Sequence, residues 1–370
     1  MRVTEPYTIF PRTLNSGKIV YYYQYRDEAG RRSPILSTGE TVLSKAKRKV
    51  QKMYNEGMFY TKKSVNFEQY TKDFFSKSGK YYAFQALTSK PIKDSTLASY
   101  VKKLNHQILP FFKDMDITSI TKDTIKDWII WANQNWSPKT INNARGVLNI
   151  ILESALEKEI ISRNPLSGIK YNHIDKKQRQ LLTVDEIRMI YNEKWAHECQ
   201  RQMFLLAAIT GMRIGEISAL KWCNIHDNYI DVLYTFSYKF GLGTTKTDYK
   251  RKVPIIPEFD FGSNDYEWVY ATSPEEPMQS HAVYNCFIRI CERLGIDHKS
   301  RGITIHSLRN FFISYLSEKD VSERKIKAVV GHKTKDMTDH YTYWTPEMFP
   351  EVYDIQRKLY EEIICQEQTS

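Results

Sequence analysis

A short segment near the end of the chain carries side chains suited to nucleophilic chemistry. It reads G-H-K-T-K-D-M-T-D-H-Y-T-Y-W from Gly331 to Trp344 and holds two tyrosines, Tyr341 and Tyr343. A tyrosine hydroxyl becomes a nucleophile when a neighbouring base takes its proton, and histidine is the commonest base. His332 precedes Tyr341 by nine residues. On one straight helix these two would be about 900° of rotation apart and face opposite sides, so they converge only if the chain bends over 334–338.

An arginine flanked by glycines inside an apolar stretch is the second feature. The sequence Thr210 to Glu216 reads T-G-M-R-I-G-E and follows an apolar run. A buried guanidinium without an anionic partner is costly, so we expect Arg213 to meet a carboxylate or a phosphate. Glu216 would supply the carboxylate one turn further along if the segment is helical. The flanking glycines would let backbone or ligand approach closely.

Three further groups could act on an anionic substrate. His306 and Arg309 are three residues apart at a predicted helix start, which places a titratable base and a fixed cation on one face. Lys246 lies in a predicted hairpin region, where Lys250 and Lys252 are close rivals for any such role. Each of these groups, taken alone, is more often an ordinary surface residue.

As a set, the motifs T-G-M-R-I-G-E, T-K-T, H-S-L-R and G-H and the later tyrosine resemble the tyrosine recombinase (phage integrase) family, of the type found in mobile elements. The resemblance covers Leu182 to about Pro346 with motifs. It implies integration and excision of a mobile element, with DNA cleaved and rejoined through a 3′-phosphotyrosine intermediate. The family's nine-residue step from His332 selects Tyr341 over Tyr343. The catalytic residues implied by the resemblance are Arg213, Lys246, His306, Arg309, His332 and Tyr341.

The chemistry of these side chains agrees with that implication. Two guanidinium groups would stabilise charge on the nonbridging phosphate oxygens. His306 can accept a proton, and Lys246 can give one to the leaving 5′ oxygen. Because the bond energy stays in the phosphotyrosine linkage and no Asp/Glu cluster has metal-binding spacing, we expect no ATP, no metal and no other cofactor. The chain departs from the family at Asn310 and Tyr343, where the family often has histidine.

Two other functions share parts of this pattern. A type IB topoisomerase uses a related set of residues, and a non-catalytic DNA-binding regulator could keep the same fold. The basic N-terminal unit and the helical second domain argue against a topoisomerase, and the complete set of six residues argues against a regulator. Covalent trapping on nicked DNA separates the regulator from an enzyme, and strand exchange separates a recombinase from a topoisomerase.

The charge of the chain predicts an acidic partner. Its 54 Lys and Arg exceed its 43 Asp and Glu by 11, and nucleic acid is the commonest acidic partner. Five cysteines without a C-x-x-C pair indicate free thiols in a reducing compartment. No signal-type or membrane-spanning apolar run is visible, so we expect a cytoplasmic protein, nucleoid-associated when bound to DNA, with no membrane partner. The implied partners are double-stranded DNA attachment sites and further copies in a tetramer on DNA; accessory DNA-bending or excision factors are left open.

The first sixty residues form a distinct basic unit. Residues 1–60 hold eleven Lys or Arg against five Asp or Glu, a net of +6. A turn at 15–18, the run Ile19–Tyr25, a second turn and then Arg31–Ser37 predict strand, turn and strand, and 44–54 has helical composition. This unit resembles an arm-type DNA-binding domain, and such a sheet suits phosphate contact; a merely solvated surface is the alternative. The candidate DNA contacts are Lys18, Arg31 and Arg32.

Residues 67–168 predict a helical domain that resembles the family's core-DNA-binding domain by position and pattern. Ser95 is a candidate cap for a helix that Pro110 stops, and Thr121 begins another. Ser137-Pro138 begins a third, with proline at the first helical position. The third helix has an apolar stripe, and its opposite face either lies on DNA or is simply exposed to water. The candidate DNA contacts on that face are Lys139, Asn142 and Asn143.

A polar, basic stretch at 170–180 predicts a linker to the third, catalytic domain at 180–370. A capping box at Thr183 to Glu186 opens that domain, and 230–238 and 251–256 look like strands around a Gly241-Leu242-Gly243 turn region. A tail helix over 347–370 has an apolar stripe that must pack on its own domain or on a neighbouring protomer, and the resemblance suggests the neighbour. The fold class expected is mixed α/β, mainly α, with a small β-sheet in a 1–60 domain, an all-α 67–168 domain and a small β-sheet in the catalytic domain.

Overall fold

The chain folds as two compact units, Met1–Asp175 and Lys176–Ser370. Their boundary lies inside the polar stretch predicted as a linker, while the predicted division of the first unit near residues 61–66 stays a prediction. Within the described residues, none of the helices combines the length and the apolar character that crossing a membrane requires. The computed structural model describes residues 6–26, 32–55, 64–89, 91–174, 180–245, 250–332 and 345–365.

The N-terminal part of the first unit is a three-stranded antiparallel sheet with one helix. Strand β1 (Tyr7–Thr13) pairs along its whole length with β2 (Ile19–Tyr25), and β3 (Leu36–Ser37) pairs with the other edge of β2. Helix α1 (Leu43–Asn55) packs its buried Val50 against tyrosines of β2. The β2 strand and the α1 helix confirm the sequence prediction. The predicted second strand is shorter than expected, and β1 is an additional strand, in which Tyr7 and Ile9 pack against the cluster of Tyr23, Tyr25 and Val50 while Thr8 between them is exposed.

The rest of the first unit is helical. Its core is aromatic-rich, with Trp128, Phe67 and Phe112 fully buried. Thr121 and Ser137 accept hydrogen bonds from backbone N–H groups at the N-termini of their helices, as predicted, and Pro138 occupies the first position of the third predicted helix. The elements are α2 (Phe67–Thr71), α3 (Lys80–Thr88), α4 (Asp94–Lys103), a π-helical turn (Leu104–Ile108), α5 (Leu109–Phe112), a 3₁₀ turn (Ile117–Ser119), α6 (Lys122–Asn133) and α7 (Pro138–Glu157).

Pro110 does not stop its helix, contrary to the prediction. The chain widens into the π-helical turn Leu104–Ile108 and then continues helically through Phe112. A proline lacks an N–H and its ring crowds the carbonyl four residues earlier. The wider turn accommodates the ring, and the N–H of Leu109 bonds to the carbonyl of Leu104, five residues back. The predicted cap at Ser95 is also displaced, since α4 is preceded by Lys93 at the cap position.

The second unit surrounds one large core with helices and two small antiparallel sheets. The Thr183 capping box with Glu186 is confirmed. The predicted strand at 230–238 is two strands, and the glycine region is itself a strand rather than a turn, because Gly241–Thr244 pairs with Tyr234–Ser237. The elements are α8 (Val184–Asn192), α9 (Glu198–Thr210), α10 (Ile214–Ser218), a 3₁₀ turn (Trp222–Asn224), β4 (Tyr229–Val232), β5 (Tyr234–Ser237), β6 (Gly241–Thr244), β7 (Arg251–Pro254), α11 (Ser280–Arg293), α12 (Ser307–Glu318), α13 (Glu323–Val330), a 3₁₀ turn (Pro346–Met348) and α14 (Pro350–Ile364).

The tail helix α14 packs on its own unit. Its stripe residues Val352, Leu359 and Ile363 are fully buried in the core that α8 and α9 also line. Buried Gln356 donates its amide to the carbonyl of Pro254 at the end of β7, 2.9 Å away. The helical spacing of the tail is confirmed, and its apolar stripe is buried within its own unit, which was the alternative to docking on a neighbouring protomer. The whole is a mixed, mainly α fold, as the sequence predicted.

Candidate active site

Arg213 lies at the junction of two helices. Helix α9 is buried along its last eight residues and ends at Gly211, whose φ of 64° is left-handed. A side chain at Gly211 would place its Cβ 2.9 Å from Cδ1 of Phe312, so packing as well as conformation requires glycine there. Arg213 then occupies the cap position of α10. This abrupt change of direction keeps the Arg213 side chain partly exposed, at 21%, beside a buried core.

Glu216 binds two arginines at once. Its carboxylate is 1% exposed and accepts from Nη1 of Arg213 at 2.7 Å and from the Arg213 backbone N–H at 3.0 Å. Arg251 donates Nη2 to Oε2 at 2.8 Å and Nη1 to Oε1 at 3.3 Å. Burial by itself would raise the pKa of Glu216, but the charge and hydrogen bonds of Arg251, joined by those of Arg213, lower it to about 2. Glu216 is therefore ionised, and the predicted Arg213–Glu216 pair is present.

Arg309 is the most deeply buried cation of the site. It lies in the first turn of α12, is 1% exposed, and donates Nη1 to the carbonyl of Gly211 at 2.9 Å. Its other terminal nitrogen, Nη2, is buried and has no hydrogen-bond acceptor among the described residues. Burial, followed by the charges of Arg213 and Arg251, lowers the pKa of Arg309 to about 9. Three guanidinium groups thus lie near one carboxylate, which only Arg213 and Arg251 bind. This leaves an excess of two positive charges and a buried donor that an anion would satisfy.

Two histidines lie at helix ends beside these arginines. His306 precedes α12 and is exposed, so the predicted helix start is correct, although Arg309 three residues later is buried. His332 follows the left-handed Gly331 that ends α13. The pKa of His332 is lowered, first because part of the ring is removed from water and then by the charges of Arg309, Arg213 and His306. The structure therefore brings together four of the six predicted catalytic residues, with a neutral imidazole at His332 near pH 7.

The remaining two predicted catalytic residues, Lys246 and Tyr341, lie outside the described residues, as do Tyr343 and the predicted bend at 334–338. The structure bears on one rival of Lys246. Lys252 lies in β7 with its ammonium 4.4 Å from the centre of the Tyr229 ring. Side chains alternate along a strand. Lys252 therefore faces away from the candidate active site, whereas its neighbour in β7 points into it.

That neighbour, Arg251, is not among the residues predicted from the sequence. Its side chain is 3% exposed and reaches Glu216 from β7, 35 residues along the chain. A signal was present in the sequence. Val253 and Ile255 are apolar at alternating positions after Arg251, so a period-two pattern would have placed Arg251 on the buried face.

The predicted DNA-contacting face of α7 is divided by the structure. Lys139 and Asn143 are exposed. Asn142 instead holds the chain that leaves the first unit, since its amide donates to the carbonyl of Asn172 at 2.9 Å and accepts from the Asn172 N–H at 3.0 Å. Arg145 on the same helix donates to the carbonyl of Lys170 at 2.6 Å. In the N-terminal sheet the other predicted contacts, Lys18 and Arg32, are exposed, and Arg31 lies outside the described residues.

We expect Glu216→Gln to destabilise the second unit by about 3–5 kcal/mol, because removing one partner of a buried ion pair leaves charges uncompensated. Here Arg213 and Arg251 would both lose their carboxylate. Chemical denaturation of the purified protein measures the change in free energy of unfolding. The control is Glu193→Gln, which breaks the exposed pair with Arg293 and should cost less than about 1 kcal/mol. Equal effects of the two changes would contradict the prediction.

The same carboxylate should contribute to the acid stability of the protein. Its pKa is lower in the folded chain, at about 2, than the ordinary value near 4.5, so the unfolded chain binds the proton more tightly. The contribution is therefore fully present above about pH 5 and is lost as the pH falls towards 2. As the pH falls through this range, the free energy of unfolding of Glu216→Gln should decrease less than that of the parent. Equal decreases in the two proteins would show that Glu216 does not cause the acid dependence of stability.

Comparisons with known proteins identify the family of domains that the chain contains. Residues 180–348 match the family described as Phage integrase family, and residues 81–131 match the domain described as Phage integrase, N-terminal SAM-like domain. The chain is 26% identical to the prophage ps2 probable integrase of Lactococcus lactis subsp. lactis, over 93% of this chain and 98% of that protein.

Its fold is similar to that of lambda integrase solved as a dimer bound to a COC′ core site, with a TM-score of 0.58, 21% identity and coverage of 93% and 98% of the two chains. It is also similar to a lambda integrase tetramer bound to a Holliday junction, with a TM-score of 0.56, 21% identity and coverage of 91% and 98%. The chain therefore contains a phage integrase family domain at 180–348, preceded by a phage integrase N-terminal SAM-like domain at 81–131.

Proposed function

We propose that the protein is a site-specific DNA recombinase that integrates and excises a mobile element. The observation that carries this proposal is the buried Arg309, whose Nη2 has no acceptor among the described residues and which lies in a cluster with excess positive charge. A folded protein keeps such a donor buried at a cost. A phosphate diester between Arg309 and Arg213 would remove that cost by accepting hydrogen bonds from both guanidinium groups.

The reaction assigned to this site is transesterification at phosphorus. The hydroxyl oxygen of Tyr341 attacks the phosphate, its proton passes to His306, and the bond from phosphorus to the 5′ oxygen breaks. Lys246 gives a proton to the leaving 5′ oxygen, and the 3′ phosphate stays covalently attached to the tyrosine. A 5′ hydroxyl from the partner strand then reverses these steps. Because one phosphodiester replaces another, no nucleotide is consumed.

The electrostatics of the site support these roles. An ordinary tyrosine has a pKa near ~10, so its ionisation at pH 7 costs about 4 kcal/mol, and nearby guanidinium groups reduce that cost. The lowered pKa of His332 leaves its imidazole neutral at pH 7, so His332 would donate a hydrogen bond to a phosphate oxygen rather than add a third full charge. Since the arginines supply the positive charge that a metal supplies elsewhere, we expect cleavage to proceed in EDTA.

The DNA partner and the assembly belong to the same proposal. Exposed Lys139 and Asn143 on α7, and Lys18 and Arg32 in the N-terminal sheet, are available to contact the duplex; Asn142 is occupied by Asn172 and would act only by shaping the surface. The solved lambda integrase dimer on a core site and tetramer on a Holliday junction support binding to attachment-site DNA as a tetramer. Accessory DNA-bending or excision factors would act on that assembly.

The experiment uses DNA from the two ends of the element that carries the gene, identified by sequencing for attachment-site repeats. Duplexes containing these repeats are nicked beside each candidate cleavage position and incubated with the protein in EDTA. A recombinase gives a protein–DNA adduct that survives denaturation, and it exchanges strands between two duplexes. Adduct formation with relaxation of supercoils but no exchange would assign a topoisomerase. Binding without an adduct at any position would assign a regulator.

The basic N-terminal unit should contribute to the salt dependence of DNA binding. We expect Lys18→Gln and Arg32→Gln each to reduce the slope of log affinity against log salt by about 0.9 for every phosphate that the protein no longer neutralises. Deletion of residues 1–60 should reduce it further. Fluorescence anisotropy on long attachment-site DNA measures the slope, with Lys358→Gln on the exposed face of α14 as the control. Unchanged slopes would mean that the basic sheet is only a solvated surface.

A further inference from the structure

Arg251 joins three segments that carry the site. From the start of β7 it donates Nη2 to Oε2 of Glu216 at 2.8 Å and Nε to the carbonyl of Val329 at 3.0 Å. Glu216 in α10 is the carboxylate that holds Arg213, and Val329 lies in the last turn of α13, just before His332. One planar guanidinium therefore contacts both the partner of Arg213 and the segment that presents His332.

The contact with α13 fixes the end of that helix. The last carbonyls of a helix have no intrahelical donor, and Arg251 supplies one to Val329. The chain then turns at Gly331 with a φ of 73°, and a Cβ on Gly331 would lie 3.0 Å from Cδ, Nε and Nη1 of Arg251. The arginine thus packs flat against the glycine that sends the chain to His332. Any change in the position of Arg251 would change the direction in which the His332 backbone leaves the helix.

The contact with Glu216 fixes the orientation of Arg213. A carboxylate has about four lone-pair positions, and two bonds to Arg213 and two to Arg251 occupy them. The fork of Arg251 fits both oxygens, as a lysine ammonium cannot. Without that fork, Glu216 would keep its bonds to Arg213 but could rotate, and the guanidinium of Arg213 would rotate with it.

We infer that Arg251 is a positioning residue for DNA strand cleavage, which holds Arg213 through Glu216 and His332 through Val329 and Gly331. The inference rests on the proposed function, since it concerns the same phosphate site. Arg251 itself need not touch the DNA. Its side chain is only 3% exposed, and its donors are directed at protein acceptors. Its effect should therefore be on the rate of the cleavage step and not on DNA affinity.

The chain offers a control for an arginine that forks onto a carboxylate, in the partly buried Arg301. Arg301 donates both terminal nitrogens to the carboxylate of Glu186 and also bonds to the carbonyl of Leu181 at 2.7 Å. It therefore makes the same kinds of contact as Arg251, one carboxylate and one backbone carbonyl, in the same unit. These contacts lie at the start of α8, and no predicted catalytic residue takes part in them. A general loss of stability should affect both sites alike, whereas loss of positioning should affect only Arg251.

The test compares Arg251→Lys and Arg251→Met with Arg301→Lys and Arg301→Met. Adduct formation on nicked attachment-site DNA is measured at saturating DNA, at a temperature well below each melting point, alongside DNA affinity. We expect Arg251→Lys to slow cleavage by about 10- to 100-fold with DNA affinity within about twofold, and Arg251→Met to slow it further. Both Arg301 variants should cleave within about twofold of the parent despite a similar loss of melting temperature.

The pH profile gives a second readout that a purely structural role would not move. With Arg251→Met, Glu216 loses a partner that keeps it ionised, so the acid side of the cleavage profile should shift to higher pH, while Arg301→Met leaves it in place. Parent-like cleavage by Arg251→Lys, losses equal to those of the Arg301 variants, or failure of both Arg251 variants to fold would overturn the inference. If the unsubstituted protein forms no adduct, the proposed function itself has failed, and the two failures are thereby distinguished.

Discussion

Tyr341→Phe protein should bind attachment-site DNA like the parent and form no covalent adduct with it. The substitution removes one hydroxyl group, which is the attacking oxygen of the proposed reaction, and leaves the ring and the cationic site unchanged. Without that oxygen no phosphotyrosine bond can form, so we expect adduct to fall below detection and strand exchange to fall with it. Denaturing electrophoresis of end-labelled nicked DNA measures the adduct, and a gel shift on the same DNA measures binding.

The matched control is Tyr343→Phe, two residues further on. If both tyrosines are on one helix they point about 200° apart, so only one can face the phosphate. Tyr343→Phe should retain adduct formation within a few-fold of the parent. Adduct formed by Tyr341→Phe, together with none formed by Tyr343→Phe, would reverse the assignment of the nucleophile.

Arg309→Met should remove cleavage without lowering the stability of the protein. The pKa of Arg309 is about 9 in the folded chain, well below its ordinary 12.5. A base whose pKa is lower when folded binds its proton less tightly there, so at neutral pH the folded protein keeps this charge at a cost. Methionine fills much of the same space and carries no charge. The substitution gives up the bond to the Gly211 carbonyl, but relief of the repulsion from Arg213 and Arg251 offsets that loss.

For catalysis we expect Arg309→Met to be harmful, although it is not harmful to stability. Loss of one donor to the charge that develops on a reacting oxygen typically costs 10²–10³ in rate, or about 2.7–4 kcal/mol. We therefore expect at least about a hundredfold slower adduct formation, together with a melting temperature equal to or above that of the parent. Arg301→Met provides the contrast, since it strands the carboxylate of Glu186 and should melt lower while cleaving normally. A melting temperature of Arg309→Met well below the parent's would show that the charge is not in conflict with the fold.

The opposite signs of these two effects reflect how the site is built. A cluster of three arginines around one carboxylate stores an unfavourable interaction that a phosphate would relieve. Function then depends on burial that stability alone would not favour. The same reasoning explains why Glu216 is expected to matter for folding and Arg309 for reaction, although they belong to one cluster.

Local features of the sequence were sufficient to predict several elements and the Arg213–Glu216 pair. The caps at Thr121, Ser137 and Thr183 act within three residues of themselves, so their helices begin where the sequence places them. The apolar stripe of α7 is buried as predicted. The motif around Arg213 contains its own partner, Glu216, one turn away. Such interactions involve neighbours in the chain, and they need no knowledge of the rest of the fold.

Only the tertiary structure decided the features that depend on residues distant in sequence. Arg251 meets Glu216 across 35 residues, because β7 pairs with β4 and lies beside the end of α13. The depth of Arg309 follows from the packing of α12 on α9 and cannot be seen in its residue type. The position of α14 is set by an apolar surface on α8 and α9, which the helix covers. An apolar stripe indicates that one face of a helix must be buried. The arrangement of distant elements determines which surface buries that face.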